Sequence, residues 1–480
     1  MLKSRRSLPE GVAKTIVFSN VTLAVSLLYF ALVLGYVQVN YSHIVLSDPF
    51  PAALFYIAPA VCIVLLLLSI TLSAKYRVNL SLLIVSTAIC IFLAEGYLTL
   101  FPGPTAAELR TMRRVSAADE LGIDFDTRSR LQVVDELTAA GQDVTLAFLP
   151  HVYLLDALDS PDASGRLVPL GGRANTASVL CNEAGNYLVY DSDERGFNNP
   201  RGTWSEVRLD FLLVGDSYTQ GICVASENNI AGRLREVHPK TLNLGMSGNG
   251  PLMILATLKE YAHSFEPKVV LWFFYGGNDL FDLAEERRTP LLNYLEEGFS
   301  QDLPDKQQAI DELVERYMEE AIATERTTAR ESADEPRPSF SLWESLKLVR
   351  LLSFAGLTDE YARDQIPVEQ GAVLDADDAE LQLFARILAE ADRFVDSWGG
   401  QLYFISLPEY LEFARGPTSF RSHSEVMSIV ADLGIPLIDL RETFREHTDP
   451  FSLFPLRLPA HYNESGYALV AETILEQIDR

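Results

Sequence analysis

Residues 211–221 read FLLVGDSYTQG, and this stretch decides the fold of the 480-residue chain. The apolar run at 211–214 predicts a buried strand, and Gly215 and Gly221 bracket a turn that leads into a helix. Ser217 lies on that turn, where backbone N–H groups at a helix start point outward. A serine in this position is either an exposed nucleophile or an ordinary helix cap.

Outward from this stretch, strand-like and helix-like segments alternate. The further predicted strands are 241–244, 269–275, 401–406 and 436–440. Near-continuous apolar strands alternating with helices indicate an α/β domain whose parallel sheet is covered on both faces. In such sheets ligands bind at the carboxyl ends of the strands.

Three more motifs fall at strand ends or helix starts. They read NLGMSGNGP at 243–251, YGGNDL at 275–280 and HYNESGYALVAE at 461–472. Gly248 and Asn278 could donate N–H groups to an oxyanion, and His461 could accept the proton of Ser217. Each has a structural alternative: a glycine-rich turn, a helix cap and a structural histidine. Their joint occurrence in one order favours a single site.

Together these motifs resemble the SGNH (GDSL-like) serine hydrolases, over about 207–290 and 400–480. The resemblance implies a flavodoxin-like three-layer α/β/α domain that hydrolyses or transfers acyl esters without a cofactor. It assigns the nucleophile to Ser217, the base to His461 and the oxyanion donors to Gly248 and Asn278.

One departure from the family pattern concerns the acid that orients the histidine. The family carries an aspartate two or three residues before the histidine, where this chain has Leu458 and Pro459. We therefore predict a Ser–His dyad in which a backbone carbonyl at 457–459 holds His461. A returning Asp449 is the alternative acid.

The first hundred residues contain three apolar runs, at 15–37, 52–74 and 80–101, each near the length of a membrane span. We predict three transmembrane helices. Glu95, near the end of the third, should reach water at the membrane interface. The short segments beside the first helix and between the second and third are basic; their residues are Lys3, Arg5, Arg6, Lys14, Lys75 and Arg77. This distribution predicts a cytoplasmic N-terminus and places everything after residue 101 outside the cytoplasm.

The chain thus divides into a membrane anchor at 1–101, an irregular, partly β approach segment at 102–206, and the SGNH domain at 207–480. A helical insertion at about 281–398 interrupts the domain and contains predicted helices near 310–321 and 342–354. It is either a decoration or a lid over the site.

Cysteine content and charge restrict the function further. Cys181 and Cys223 are the only cysteines after the anchor, and outside the cytoplasm they should form a disulfide. The net charge of −27 argues against a nucleic-acid partner. The seven histidines contain no HxH or HxxxH pair, so no metal site is expected.

The resulting expectation is a multi-pass protein of the bacterial inner membrane with a periplasmic esterase or O-acyltransferase domain. Its substrate would be an acylated glycan or lipid, with acyl esters of cell-envelope glycans as the leading expectation, in the setting of envelope-polysaccharide machinery. The alternatives are a lipase or lysophospholipase at the membrane surface, and a non-catalytic scaffold of an envelope-polymer complex, which the missing acid would favour.

Overall fold

The protein is described by a computed structural model that covers residues 10–40, 53–101, 106–158, 167–206, 208–334, 346–348, 351, 378–415 and 421–478. The chain divides into two compact units. One comprises Met1–Ala107 with Ala333–Gln365, and the other comprises Glu108–Ser332 with Ile366–Arg480. Part of the insertion therefore belongs with the N-terminal helices rather than with the sheet.

Apolar helices dominate the first unit: α1 (Glu10–Asn40), α2 (Ala58–Ser69) and α3 (Ala74–Leu100). Within the described residues, α1 and α3 are long and apolar enough to cross a membrane. The expectation of three full-length spans is wrong for the middle one. The π-helical residues Ala53–Ile57 lead directly into α2, and a turn at 70–73 ends it, so the described helix has 17 residues. At about 1.5 Å per residue it covers roughly 25 Å of the ~30 Å hydrocarbon layer.

We expected Glu95 on α3 to reach water, but the structure shows that it is buried. It is 1% exposed, and its Oε2 accepts a hydrogen bond from the backbone N–H of Leu351 at 2.7 Å. In the same unit the Tyr29 hydroxyl donates to the carbonyl of Leu346 at 3.1 Å. The predicted helix at 342–354 lies mostly outside the described residues, but these contacts attach its described part to α1 and α3.

The approach segment opens the second unit with a small sheet. Its helices are α4 (Ala106–Leu121), α5 (Arg130–Ala139) and α6 (Pro150–Leu158), and its strands are β1 (Val144–Leu146), β2 (Ala177–Cys181) and β3 (Leu188–Asp191). β2 is the central strand, parallel to β1 and antiparallel to β3. The predicted disulfide is present and joins Cys181, the last residue of β2, to Cys223.

The main sheet is parallel and has five strands. These are β4 (Phe211–Val214), β5 (Thr241–Asn243), β6 (Val269–Tyr275), β7 (Gln401–Leu407) and β8 (Leu437–Asp439), in the spatial order β5-β4-β6-β7-β8. This is the flavodoxin-like order, in which β5 forms the edge of the sheet and β4, which precedes it in the sequence, lies one position further in. Each strand predicted from the sequence agrees with the structure within one residue at either end.

Helices cover both faces of the sheet. They are α7 (Ser217–Gln220), α8 (Ile230–Arg235), α9 (Pro251–Tyr261), α10 (Asp279–Glu286), α11 (Gln307–Asp334), α12 (Asp378–Asp396), α13 (Tyr410–Arg415), α14 (Arg421–Leu433), α15 (Arg441–Glu446) and α16 (Glu464–Ile478). Alternate side chains of β4 enter different cores: Leu212 packs with α9 and α12, and Leu213 with α8 and α16. The domain therefore has three layers, and the loops after β4, β5 and β6 meet at one sheet edge.

Candidate active site

Ser217 lies at the first position of α7, directly after the turn that follows β4. The turn is held by Asp216, whose Oδ1 accepts the backbone N–H of Tyr218 at 3.0 Å. Gly215 has no substitute here, because a Cβ at this position would lie 2.1 Å from the Thr219 hydroxyl oxygen. The backbone therefore presents Ser217 at the sheet edge in one fixed orientation, with 5% of the residue exposed.

His461 contacts Ser217 from the loop before α16. The distance between its Nε2 and the Ser217 hydroxyl oxygen is 2.9 Å. The ring of Tyr218 lies against the imidazole with centroids 4.7 Å apart, so packing as well as hydrogen bonding orients the base. This is the geometry that a general base needs in order to accept a serine proton.

The orienting acid is Glu183, which the sequence analysis did not identify. Its Oε1 lies 3.0 Å from His461 Nδ1, and its Oε2 accepts the backbone N–H of the same histidine at 3.2 Å. The predicted Ser–His dyad is wrong, because a carboxylate takes the place that we gave to a backbone carbonyl. Asp449 does not return to the site either, since it forms an ion pair with Arg457.

Electrostatics keep Glu183 ionised. Burial acts to raise the pKa of this carboxyl, but the charge and hydrogen bonds of His461, together with the charge of Arg114, outweigh burial and leave the pKa below its ordinary value. Arg114 on α4 lies 3.9 Å from Glu183. A glutamate that stays ionised can hold the Nδ1 proton and stabilise an imidazolium during turnover.

The disulfide ties the acid to the nucleophile. Cys181 is two residues before Glu183, and Cys223 is six residues after Ser217, with the two cysteine Cα atoms 5.5 Å apart. The predicted disulfide was thus the one sequence signal that could have directed attention to Glu183.

Gly248 lies in a loop that is bound to the nucleophile helix. Its φ is +82°, in the region that favours glycine. The backbone N–H of the preceding Ser247 donates to the side chain of Gln220 on α7 at 3.0 Å. At the end of β5, the Asn243 side-chain amide donates to the carbonyl of Thr219 at 2.7 Å. The loop after β5 is therefore held beside Ser217, where the sequence analysis placed it.

Asn278 follows β6, the strand next to β4. Its side chain does not cap α10; instead Nδ2 donates to Asp282 Oδ2 at 2.9 Å. The second N–H of an amide remains able to bind another acceptor. The structure thus brings Ser217 and His461 into direct contact and places Gly248 and Asn278 on the neighbouring loops of the same sheet edge.

A buried acidic face of α10 lies behind these loops. Asp282 and Glu286 are buried with Asp279, and burial, with the charges of neighbouring carboxyls as the lesser cause, raises the pKa of both aspartates well above the ordinary value. Burial also raises the pKa of Glu286 to about 8, although it accepts the backbone N–H groups of Gly250 and Leu252. Glu286 anchors the loop that carries Gly248. Across the described ranges of the chain, no three His, Cys, Asp or Glu side chains are grouped to hold a metal ion.

Comparison with known proteins gives structural likenesses of low similarity. No protein-family model matches the sequence, and a search of curated proteins finds no significant match. A member of the lipolytic protein G-D-S-L family from Veillonella parvula matches with 13% identity and a TM-score of 0.30, over 57% of this chain and 99% of that one. A lipase/acylhydrolase from Enterococcus faecalis matches with 14% identity and a TM-score of 0.30, over 56% and 95%.

A third likeness is to a two-domain esterase active on acetylated mannans, at 12% identity and a TM-score of 0.29, over 58% of this chain and 50% of that one. Values this low assign neither a family nor an activity to the chain.

Proposed function

We propose that the chain is a serine ester hydrolase of the SGNH type, with Ser217, His461 and Glu183 as its catalytic triad. The observation that carries the proposal is one continuous chain of contacts. It runs from the Ser217 hydroxyl to His461 Nε2 at 2.9 Å, and from His461 Nδ1 to Glu183 at 3.0 Å. Nucleophile, base and orienting acid in this order are what acyl transfer requires.

The geometry supports a two-step reaction. His461 Nε2 removes the proton as the Ser217 oxygen attacks the acyl carbonyl, and Glu183 stabilises the imidazolium that forms. Collapse of the tetrahedral intermediate returns the proton to the leaving alcohol and leaves an acyl-serine. Water, or a sugar hydroxyl in a transferase reaction, then loses its proton to His461 and attacks the acyl-serine. As the second tetrahedral intermediate collapses, His461 returns that proton to the departing Ser217 oxygen.

The negative charge of the intermediate needs N–H donors. We assign this role to the backbone N–H groups of Ser217 and Gly248 and to the Asn278 amide, because all three lie on adjacent loops of one sheet edge. Removing one such donor in other enzymes slows turnover by about 100–1,000-fold.

For substrate and location we propose acyl esters of cell-envelope glycans, handled outside the cytoplasm. Two long apolar helices and the Cys181–Cys223 disulfide support an anchored, extracytoplasmic domain. The basic residues around the start of α1 and at the start of α3 support a cytoplasmic N-terminus. The scaffold alternative depended on a missing acid, and Glu183 now supplies that acid.

Labelling with a fluorophosphonate probe tests the activity. In the full-length protein in detergent, we expect covalent labelling of the wild type and none of Ser217→Ala. Labelling that persists in Ser217→Ala, or a wild type that neither reacts nor hydrolyses p-nitrophenyl acetate, would overturn the proposal. Profiling acyl groups on envelope glycans with and without the active protein then distinguishes a glycan ester from a phospholipid substrate.

A further inference from the structure

His151 belongs to the approach segment but contacts the candidate oxyanion loop. It is the second residue of α6. A Cβ added to Gly248 would lie 3.1 Å from His151 Cβ and 3.5 Å from its Cγ. The base of the His151 side chain therefore packs directly on the one residue of this loop whose N–H we assign to the oxyanion.

The same histidine faces the carboxyl group that holds the other donor. His151 Nε2 lies 4.0 Å from Asp282 Oδ1, while Asp282 Oδ2 accepts the Asn278 amide at 2.9 Å. One carboxyl group therefore lies between His151 and Asn278. At 4.0 Å the imidazole and the carboxyl group face each other at a distance that one bridging water spans.

Burial makes this arrangement sensitive to the loss of either partner. The side chains of His151 and Asp282 are 12% and 10% exposed. Burial lowers the pKa of His151, and burial, followed by the charges of Glu286 and Asp216, raises that of Asp282. Removing the histidine would leave one carboxyl oxygen in a poorly solvated place without its facing partner, and the carboxyl would then be free to turn.

We infer that His151 is a positioning residue for the oxyanion hole: packed on Gly248, it holds the Asn278 amide through Asp282. This inference rests on the proposed function, because it concerns an oxyanion donor assigned there. His151 touches no reacting atom. Residues that orient metal ligands contribute about 10–100-fold to activity, and we expect a similar magnitude for a residue that orients an oxyanion donor.

The test uses His151→Leu and His151→Gln in the full-length protein, with p-nitrophenyl acetate as substrate. We expect the leucine variant to lose about 10–100-fold in kcat with KM within about twofold, because an oxyanion donor acts in the transition state. The glutamine variant keeps an N–H near the position of Nε2 and should recover most of the loss. Thermal unfolding identifies a variant that fails to fold. If the leucine variant fails to fold, the kcat of the glutamine variant still tests the inference.

The chain offers a matched control. His423 Nε2 also lies 4.0 Å from an aspartate, Asp439, in the same unit but away from Ser217. Its side chain is 14% exposed, close to the 12% of His151. His423→Leu should therefore leave kcat within about twofold of the wild type, which separates a local effect from the general cost of losing a half-buried histidine.

A double-mutant comparison decides the mechanism. If His151 acts through Asn278, His151→Leu should cost less than about threefold in an Asn278→Ala background. An equal cost in both backgrounds, a loss carried by KM, or a glutamine variant as slow as the leucine variant would overturn the inference while leaving the proposed function intact. Failure of Ser217 to react with fluorophosphonate in the wild type would overturn both.

Discussion

Glu183→Gln is the substitution that most directly tests the triad. The glutamine oxygen can still accept the Nδ1 proton of His461, so the ring keeps its orientation and loses only the facing charge. For unit charges 3.0 Å apart, an effective dielectric constant of about 20 gives an attraction of roughly 5–6 kcal/mol. The hydrogen bond to the neutral amide retains part of this attraction, which leaves a loss of about 4 kcal/mol.

At about 1.4 kcal/mol per factor of ten, this loss corresponds to a kcat lower by about 1,000-fold. The assay is steady-state hydrolysis of p-nitrophenyl acetate, with KM expected to stay within about threefold. Asp449→Asn is the matched control, because that carboxylate pairs with Arg457 outside the site, and it should change kcat by less than twofold. A Glu183→Gln variant within about threefold of the wild type, or an equally slow Asp449→Asn variant, would refute the triad.

Four further outcomes follow from the structure. Ser217→Ala should abolish ester turnover while leaving the melting temperature within a few degrees, and measurable turnover above the buffer rate would contradict its role. Cys181→Ser together with Cys223→Ser should lower the free energy of unfolding by about 4 kcal/mol, because the bond closes a loop between residues 42 apart; denaturant unfolding measures this, and a change below about 1 kcal/mol would contradict it. The folded-state pKa of Glu183 is depressed, so its ionised form stabilises the folded protein. The extra free energy of unfolding of the wild type over Glu183→Gln should be fully present above about pH 5 and should decline as pH falls through the folded pKa. A difference that stays unchanged down to about pH 2 would contradict this. A reporter fused after Arg480 should be active only outside the cytoplasm, and cytoplasmic activity would reverse the proposed orientation.

The sheet and its motifs could be predicted because their signals are local. Strands buried on both faces leave near-continuous apolar runs, of which 211–214 and 269–275 are examples. The loops that bear Ser217 and Asn278 follow those two strands directly, so sequence order alone gives their place at the sheet edge.

Glu183 could not be predicted in the same way. It reaches His461 from a different sheet, 278 residues earlier, and no spacing rule connects residues so far apart. The chain has 66 acidic residues, so the presence of a glutamate at 183 carries no weight by itself. Only the contact between the two sheets selects it, and that contact depends on tertiary packing.

The prediction of a middle membrane span was wrong for a related reason. Apolar composition over 52–74 satisfies a hydropathy window, but α2 ends at Ser69, and the chain turns before α3 begins at Ala74. Similarly, Glu95 reads as an exposed carboxylate because its partner at Leu351 is 256 residues away in the chain.

The chain separations within the triad also set the moment at which an active enzyme first exists. Glu183 and Ser217 are made early, and the disulfide between their neighbours closes a span of only 42 residues. His461 follows 244 residues after the serine. At about 5–20 residues per second, a ribosome needs roughly 12–50 s to cover that distance. Throughout that interval a growing chain carries a nucleophile and an acid but no base, so it cannot attack the ester bonds it meets. Under the proposed mechanism, catalysis is therefore timed by synthesis itself, and begins only when the segment before α16 has folded back onto the sheet.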